Sequence, residues 1–190
     1  MIKLYTIGFT GKPAEKFFNL LKNSGVTKLV DTRINNVSQL SGFAKGADLK
    51  FFVKEIANIS YEHNIDLAPT KDLLESYRKK KITWEQYEIE YLNLLDLRKI
   101  GQKLNIEQLH ENCFLCSEHT PEKCHRRLLA EYIKQIKNDV EIQAYFERKV
   151  AEGKNKMSVI NAVRNKLIHR VFAVIRDNRF YEENYTRRCA

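Results

Sequence analysis

The stretch Cys113-Phe-Leu-Cys116-Ser-Glu118-His119-Thr-Pro121-Glu-Lys-Cys124-His125-Arg126-Arg127 gathers most of the reactive side chains of this 190-residue chain into one short segment, and it constrains how that segment folds. Cys113 to Cys116 is short, apolar and strand-like. Thr120-Pro121 reads as a helix start with proline in the first turn, and Leu128, Leu129, Tyr132, Ile133 and Ile136 then recur at helical spacing. Strand, turn and helix in that order place Cys116 and Glu118 at a strand's carboxyl end, with Cys124, His125 and Arg126 in or near a helix's first turn. A helix N-terminus carries about half a positive charge and unsatisfied N–H groups, which attract anions and favour a thiolate.

Three accounts of this stretch compete. Cys113-x-x-Cys116 followed by Cys124-His125 offers zinc-ligand types, but residues three apart on a strand point to opposite faces and neighbours on a helix diverge. The expectation is therefore no metal. Free cysteines are also small buried hydrophobes, and that account is preferred for Cys113. The third account is a functional site, because Glu118, His119, His125, Arg126 and Arg127 are more ionisable groups than a plain core holds.

A chain of this length buries one good core and a small appendage, so one principal domain is expected. A hydrophobic share of 43% with 30% charged residues is globular, and no apolar run is long enough to span a bilayer, so no membrane partner is expected. Met1-Ile-Lys-Leu-Tyr leads into a strand pattern rather than an export signal, which makes the cytoplasm the expected location. Four cysteines there stay reduced. The formal charge of +9 favours anionic partners.

Along the chain, Ile2 to Gly8 reads as a strand. A helix follows Pro13, with Phe17, Phe18, Leu20 and Leu21 on its apolar face and Gly25 behind its end. Thr27 to Arg33 is a second strand, closed by an acid and a base. Ile34 to Gly46 is polar and irregular. Leu49 to Ile59 is helical, Ile59 to His63 is a short strand, and Lys71 to Lys80 and Trp84 to Leu97 are helices. The Trp84, Tyr87, Tyr91, Leu94, Leu95 series reads as core, and the Arg78-Lys-Lys-Lys81 run as a solvated helix end. Val140 to Gln143 reads as a last strand. This order predicts an α/β fold, a mostly parallel sheet flanked by helices, with an additional C-terminal amphipathic helix. In such sheets ligands bind beyond the carboxyl ends of the strands. Thr6-Ile-Gly8, Asp31-Thr-Arg33 and Cys116-Ser-Glu118 should therefore converge. There is no Walker loop and no GxGxxG, so no cofactor is expected.

Together, Thr6-Ile-Gly8, Val30-Asp31-Thr-Arg33 with a following serine (Ser38), Leu115-Cys116-Ser-Glu118 and Cys124-His125-Arg126 resemble the bacterial "domain of unknown function 488" family over about residues 1–143. The resemblance implies a compact cytoplasmic α/β domain whose motif residues are those quoted, and it implies no settled reaction. The family's first motif commonly has a histidine after the glycine, where this chain has Phe9. From Tyr145 to about Tyr185 the chain is similar to the carboxyl-terminal end of DEDD-class insertion-sequence transposases, without the parts that carry their catalytic acids and serine. Residues 144–190 thus read as a separate basic helical tail. It has an apolar stripe of Met157, Ile160, Val163, Leu167, Val171 and Ile175, to be covered by the domain or by a second copy of the chain.

The enzyme reading assigns Cys116 or Cys124 as nucleophile and Asp31 or Glu118 as acid/base. Thr6, Gly8, Arg33, Ser38, His125 and Arg126 would hold an anionic small molecule or nucleotide. The alternatives are a nucleic-acid-associated module that uses the basic tail, and a buried ion network of Asp31, Arg33, Glu118 and Arg126 that only organises the fold.

Overall fold

A computed structural model describes residues 2–37 and 39–176. The elements in order are β1 (Leu4–Gly8), α1 (Ala14–Asn23), β2 (Lys28–Asp31), α2 (Gly46–Ala57), β3 (Ser60–His63), α3 (Lys71–Arg78), α4 (Trp84–Leu97), α5 (Ile100–Lys103), β4 (Asn112–Cys116), α6 (His125–Ala151) and α7 (Lys156–Arg176). The four strands form one parallel sheet in the order β1-β4-β2-β3. β4 comes last in sequence but lies inside the sheet, which explains why all five of its residues are buried.

The pleat sends alternate residues to the two faces. Leu29, Cys113 and Leu115 pack with Phe17, Phe18 and Leu21 of α1 and Leu49 and Val53 of α2. Val30 and Phe114 pack on the other face with Leu73, Tyr87, Tyr91 and Leu95 of α3 and α4 and Leu128, Leu129 and Ile133 of α6. The fold is thus α/β, with helices on both faces of the sheet. α4 starts at a capping box in which the Thr83 hydroxyl accepts from the Gln86 N–H while the Gln86 side chain accepts from the Thr83 N–H.

Two expectations are corrected. The helix after β4 begins at His125, not at Pro121. Glu118 to Lys123 are all exposed, so an earlier start would bury nothing. The carbonyls of Glu118 and His119 are instead taken by the Arg126 guanidinium, which holds the segment as bends. Val140 to Gln143 is not a strand but part of α6. Leu129, Ile133, Ile136 and Val140 continue one 3.6-residue period, and extending a formed helix costs far less than starting an unpaired strand. The irregular stretch after β2 contains a 3-10 segment, Gln39–Ala44. Ser38 lies outside the described residues.

The chain divides near Lys137 into two compact units, a division that falls inside α6. In the second unit Val159 of α7 is buried, and Ile142, Phe146, Ile160 and Val163 line an apolar groove. Met157 is 60% exposed and therefore not part of the covered stripe, whereas the side chains of Leu167, Val171 and Ile175 lie outside the described residues. No described helix is long and apolar enough to cross a membrane.

Candidate functional site

The three strand ends do meet at one sheet edge, with Gly8 level with Cys116 and Asp31 level with Leu115. The pleat then separates them by face. Asp31, in register with Leu115, points to the α1/α2 side and is fully buried. Its carboxylate accepts from Arg33 Nε at 2.8 Å, Arg33 Nη2 at 2.6 Å, the Tyr61 hydroxyl at 2.7 Å and Asn36 Nδ2 at 3.5 Å. Arg33 also donates to the Ala44 carbonyl and lies 5.2 Å from the centroid of the Phe9 ring. Burial, together with the hydrogen bond to Asp31, pushes the Tyr61 phenol up. Asp31 therefore sits in a buried network with Arg33, Tyr61 and Asn36, which shares only Asp31 and Arg33 with the ion network of the third alternative; Glu118 and Arg126 take no part in it.

Cys116 lies on the other face, next to Cys124 and His125, all three buried. The His125 ring is oriented by Thr32, a residue to which the sequence by itself assigns no role. His125 Nε2 is 3.1 Å from the Thr32 carbonyl and 3.0 Å from its hydroxyl, whose own hydrogen goes to the Leu115 carbonyl. Both neighbours are thus acceptors, so Nε2 carries the proton. The lone pair of Nδ1 is left facing Cys116 Sγ at 3.6 Å and Cys124 Sγ at 4.0 Å. The Tyr91 ring meets the imidazole edge-on at 5.7 Å, with its hydroxyl tied to the Leu67 carbonyl.

The Cys116 thiol is held well below its ordinary value. The Cys124 thiol donates to it, which outweighs the cost of burial, and the Glu118 backbone N–H adds to this. Cys124 is pushed up in turn, because its proton is the one shared, and burial pushes Cys113 up to about 12. Cys113 is on the opposite face and joins none of this. The expected divergence of Cys124 and His125 does not occur. It assumed both residues in a helix, and Cys124 precedes the first helical residue.

Arg126, expected to bind substrate, is 2% exposed and braces the loop. It donates to the carbonyls of Glu118 at 2.7 Å and His119 at 3.4 Å and to Cys124 Sγ at 3.5 Å. Gly8 is needed for the same reason. A Cβ there would overlap the Glu118 carbonyl oxygen and come 2.8 Å from Arg126 Nη1. Thr10 N–H donates to the Ser117 carbonyl, and His119 Nδ1 donates to the Thr10 carbonyl. The β1–α1 loop and the loop after β4 are thereby clasped together. Thr6 is exposed on β1 and does not reach this place.

Above the thiols opens a cleft of about 520 Å³. Its floor is Cys116, Cys124 and His125, its apolar wall includes Trp84, Tyr87 and Tyr77, its rim carries Arg78, Lys80, Lys123 and Glu118, and the buried Arg33 borders it from below. The rings form a ladder, Trp84 stacked on Tyr87 at 5.1 Å and Tyr87 on Tyr91 at 6.3 Å. Trp84 and Tyr87, expected as core, line the cleft, and Arg78 and Lys80, expected as part of a solvated helix end, stand on its rim. The apolar period of α4 buries one edge of its stripe and lines the cleft with the other, and periodicity does not distinguish the two.

The family described as "Domain of unknown function DUF488" matches residues 13–133. No curated protein and no solved structure matches the chain. The chain belongs to the DUF488 family.

Proposed function

From that membership, which carries a fold and no reaction, we propose that the chain is an enzyme, a hydrolase or transferase, acting on an anionic planar substrate such as a nucleotide. The observation that supports this is the composition of the cleft, which faces a flat aromatic wall and a cationic rim toward one floor of thiols and imidazole. A planar ring stacks on Trp84 or Tyr87, a gain of about 1–3 kcal/mol for a base on an aromatic. Arg78, Lys80 and Lys123 attract the anion, whereas the charge of Arg33 is already matched by Asp31. Such a pose brings the reacting bond over Cys116 and His125, with Glu118 on the rim as the carboxylate that exchanges a proton.

Trp84 is the sole tryptophan, so intrinsic fluorescence reports on the cleft. Titration with a nucleoside monophosphate should give saturable quenching, weaker for the nucleoside or ribose phosphate alone. Arg78→Ala with Lys80→Ala should raise the Kd about tenfold, the effect of losing roughly 1.4 kcal/mol of charge-assisted contact. Absence of saturable quenching by any nucleotide would remove this reading. A second reading, nucleic-acid association through residues 144–190, is supported by the eleven Lys/Arg against six Asp/Glu from residue 141 onward.

A further inference from the structure

The cleft floor holds one thiol more than a nucleophile and its base require. Cys116 Sγ, Cys124 Sγ and His125 Nδ1 all lie within 4.8 Å of one another. A tetrahedral ion with bonds of about 2.3 Å to sulfur and about 2.0–2.1 Å to nitrogen sets those ligands about 3.5 Å apart. The 3.6 and 4.0 Å separations of Nδ1 from the two sulfurs come within about half an ångström of that geometry.

Each donor also has the outer partner a deprotonated ligand needs. His125 Nε2–H is committed to the Thr32 carbonyl, which turns the Nδ1 lone pair toward the sulfurs. Arg126 donates to Cys124 Sγ, and the Glu118 N–H is directed at Cys116 Sγ. Two thiolates and an imidazole select zinc over magnesium or calcium, whose ligands are oxygens.

We propose that Cys116, Cys124 and His125 hold a zinc ion on the floor of the cleft, with its fourth coordination position facing the cleft. Among the described residues no fourth His, Cys, Asp or Glu atom joins the set. Three protein ligands and one exchangeable position are the pattern of catalytic rather than structural zinc. The inference deepens the function proposed above and rests on it for the chemistry. Zinc there would supply an acidified water whose proton the Glu118 carboxylate would take; in a hydrolysis the water oxygen would bond to the electrophilic atom of the substrate held against Trp84, the bond to the leaving group would break, and the leaving group would depart with the proton returned by Glu118.

The test uses the full chain purified without chelator. Elemental analysis should find about one zinc per chain, kept in Cys113→Ser and lost in Cys124→Ser and in His125→Ala. Because these variants also touch packing, the wild-type protein is stripped under reducing conditions and titrated with Co²⁺. The expected spectrum has thiolate-to-cobalt charge transfer and tetrahedral ligand-field bands, and azide should shift the latter. A reduced, folded chain that contains no zinc and gives no cobalt bands overturns the proposal. Bands that no added anion shifts overturn the open fourth position. Trp84 quenching by a nucleotide, measured on the stripped protein, keeps the two readings apart. Quenching without metal binding sinks only the zinc site, whereas metal binding without quenching sinks only the nucleotide cleft.

Discussion

Asp31 and Cys116 stand one register step apart at the same sheet edge, yet their surroundings demand different chemistry. Asp31 is enclosed and bound by Arg33, Tyr61 and Asn36. Removing one side of a buried pair leaves the other charge uncompensated, at a cost of about 3–5 kcal/mol. Asp31→Asn should therefore lower the urea midpoint strongly. Tyr61→Phe, which removes one hydrogen bond to a charged group, should cost about 1.5–3 kcal/mol. Neither should change nucleotide quenching of Trp84 in the folded fraction, because both residues sit behind the sheet from the cleft. Loss of binding at intact stability would return Asp31 to the site. Phe9 belongs to this scale too, since its ring lies against the same Arg33 guanidinium that Asp31 holds.

At the scale of elements, the helix start at His125 is what builds the floor. It frees Cys124 from helical geometry and brings its sulfur beside Cys116 and His125. Most boundaries were legible because caps and breakers mark them. Thr70 and Thr83 cap α3 and α4, and Gly25, behind α1, has φ of +77°. Val140 to Gln143 departs from the strand expectation because two apolar residues spaced by one match a strand's period within four residues, while the helical period that Val140 continues from Leu129, Ile133 and Ile136 shows only over a longer window. Ile142→Pro decides between them. Inside α6 it removes a backbone hydrogen bond and clashes with the preceding turn, costing about 3 kcal/mol or more with a loss of far-UV helix signal. An unchanged helix signal would contradict helix at this position.

For the whole molecule, the placement of β4 between β1 and β2 matters most. It puts the carboxyl end of the last strand at the centre of the edge, which is where open parallel sheets bind ligands. The basic tail is a separate matter, and its proposed nucleic-acid role is testable by truncation. Removing residues 144–190 should abolish salt-sensitive binding of duplex DNA, measured as the slope of log affinity against log salt, while the first unit keeps its melting transition. Affinity and slope unchanged in the truncated chain would discard the tail as the binding element.

The α/β class, the strands β1 to β4 with the helices α1 to α4, and the convergence of the strand ends were readable in the sequence, whereas the one-turn α5 was not. They depend on local periodicity, caps and the chirality of parallel crossovers, which short windows of residues carry. Cys116, Cys124 and His125 were readable as candidates by type. What only the tertiary structure decided was orientation. The pleat put Asp31 behind the sheet and Cys116 in front of it, Arg126 turned inward to hold a loop over Gly8, and Thr32 set the His125 tautomer across the gap between two strands. These contacts join residues far apart in sequence. The free energy that selects them comes from burial and from satisfying buried polar groups, and neither is expressed until the chain has closed on itself.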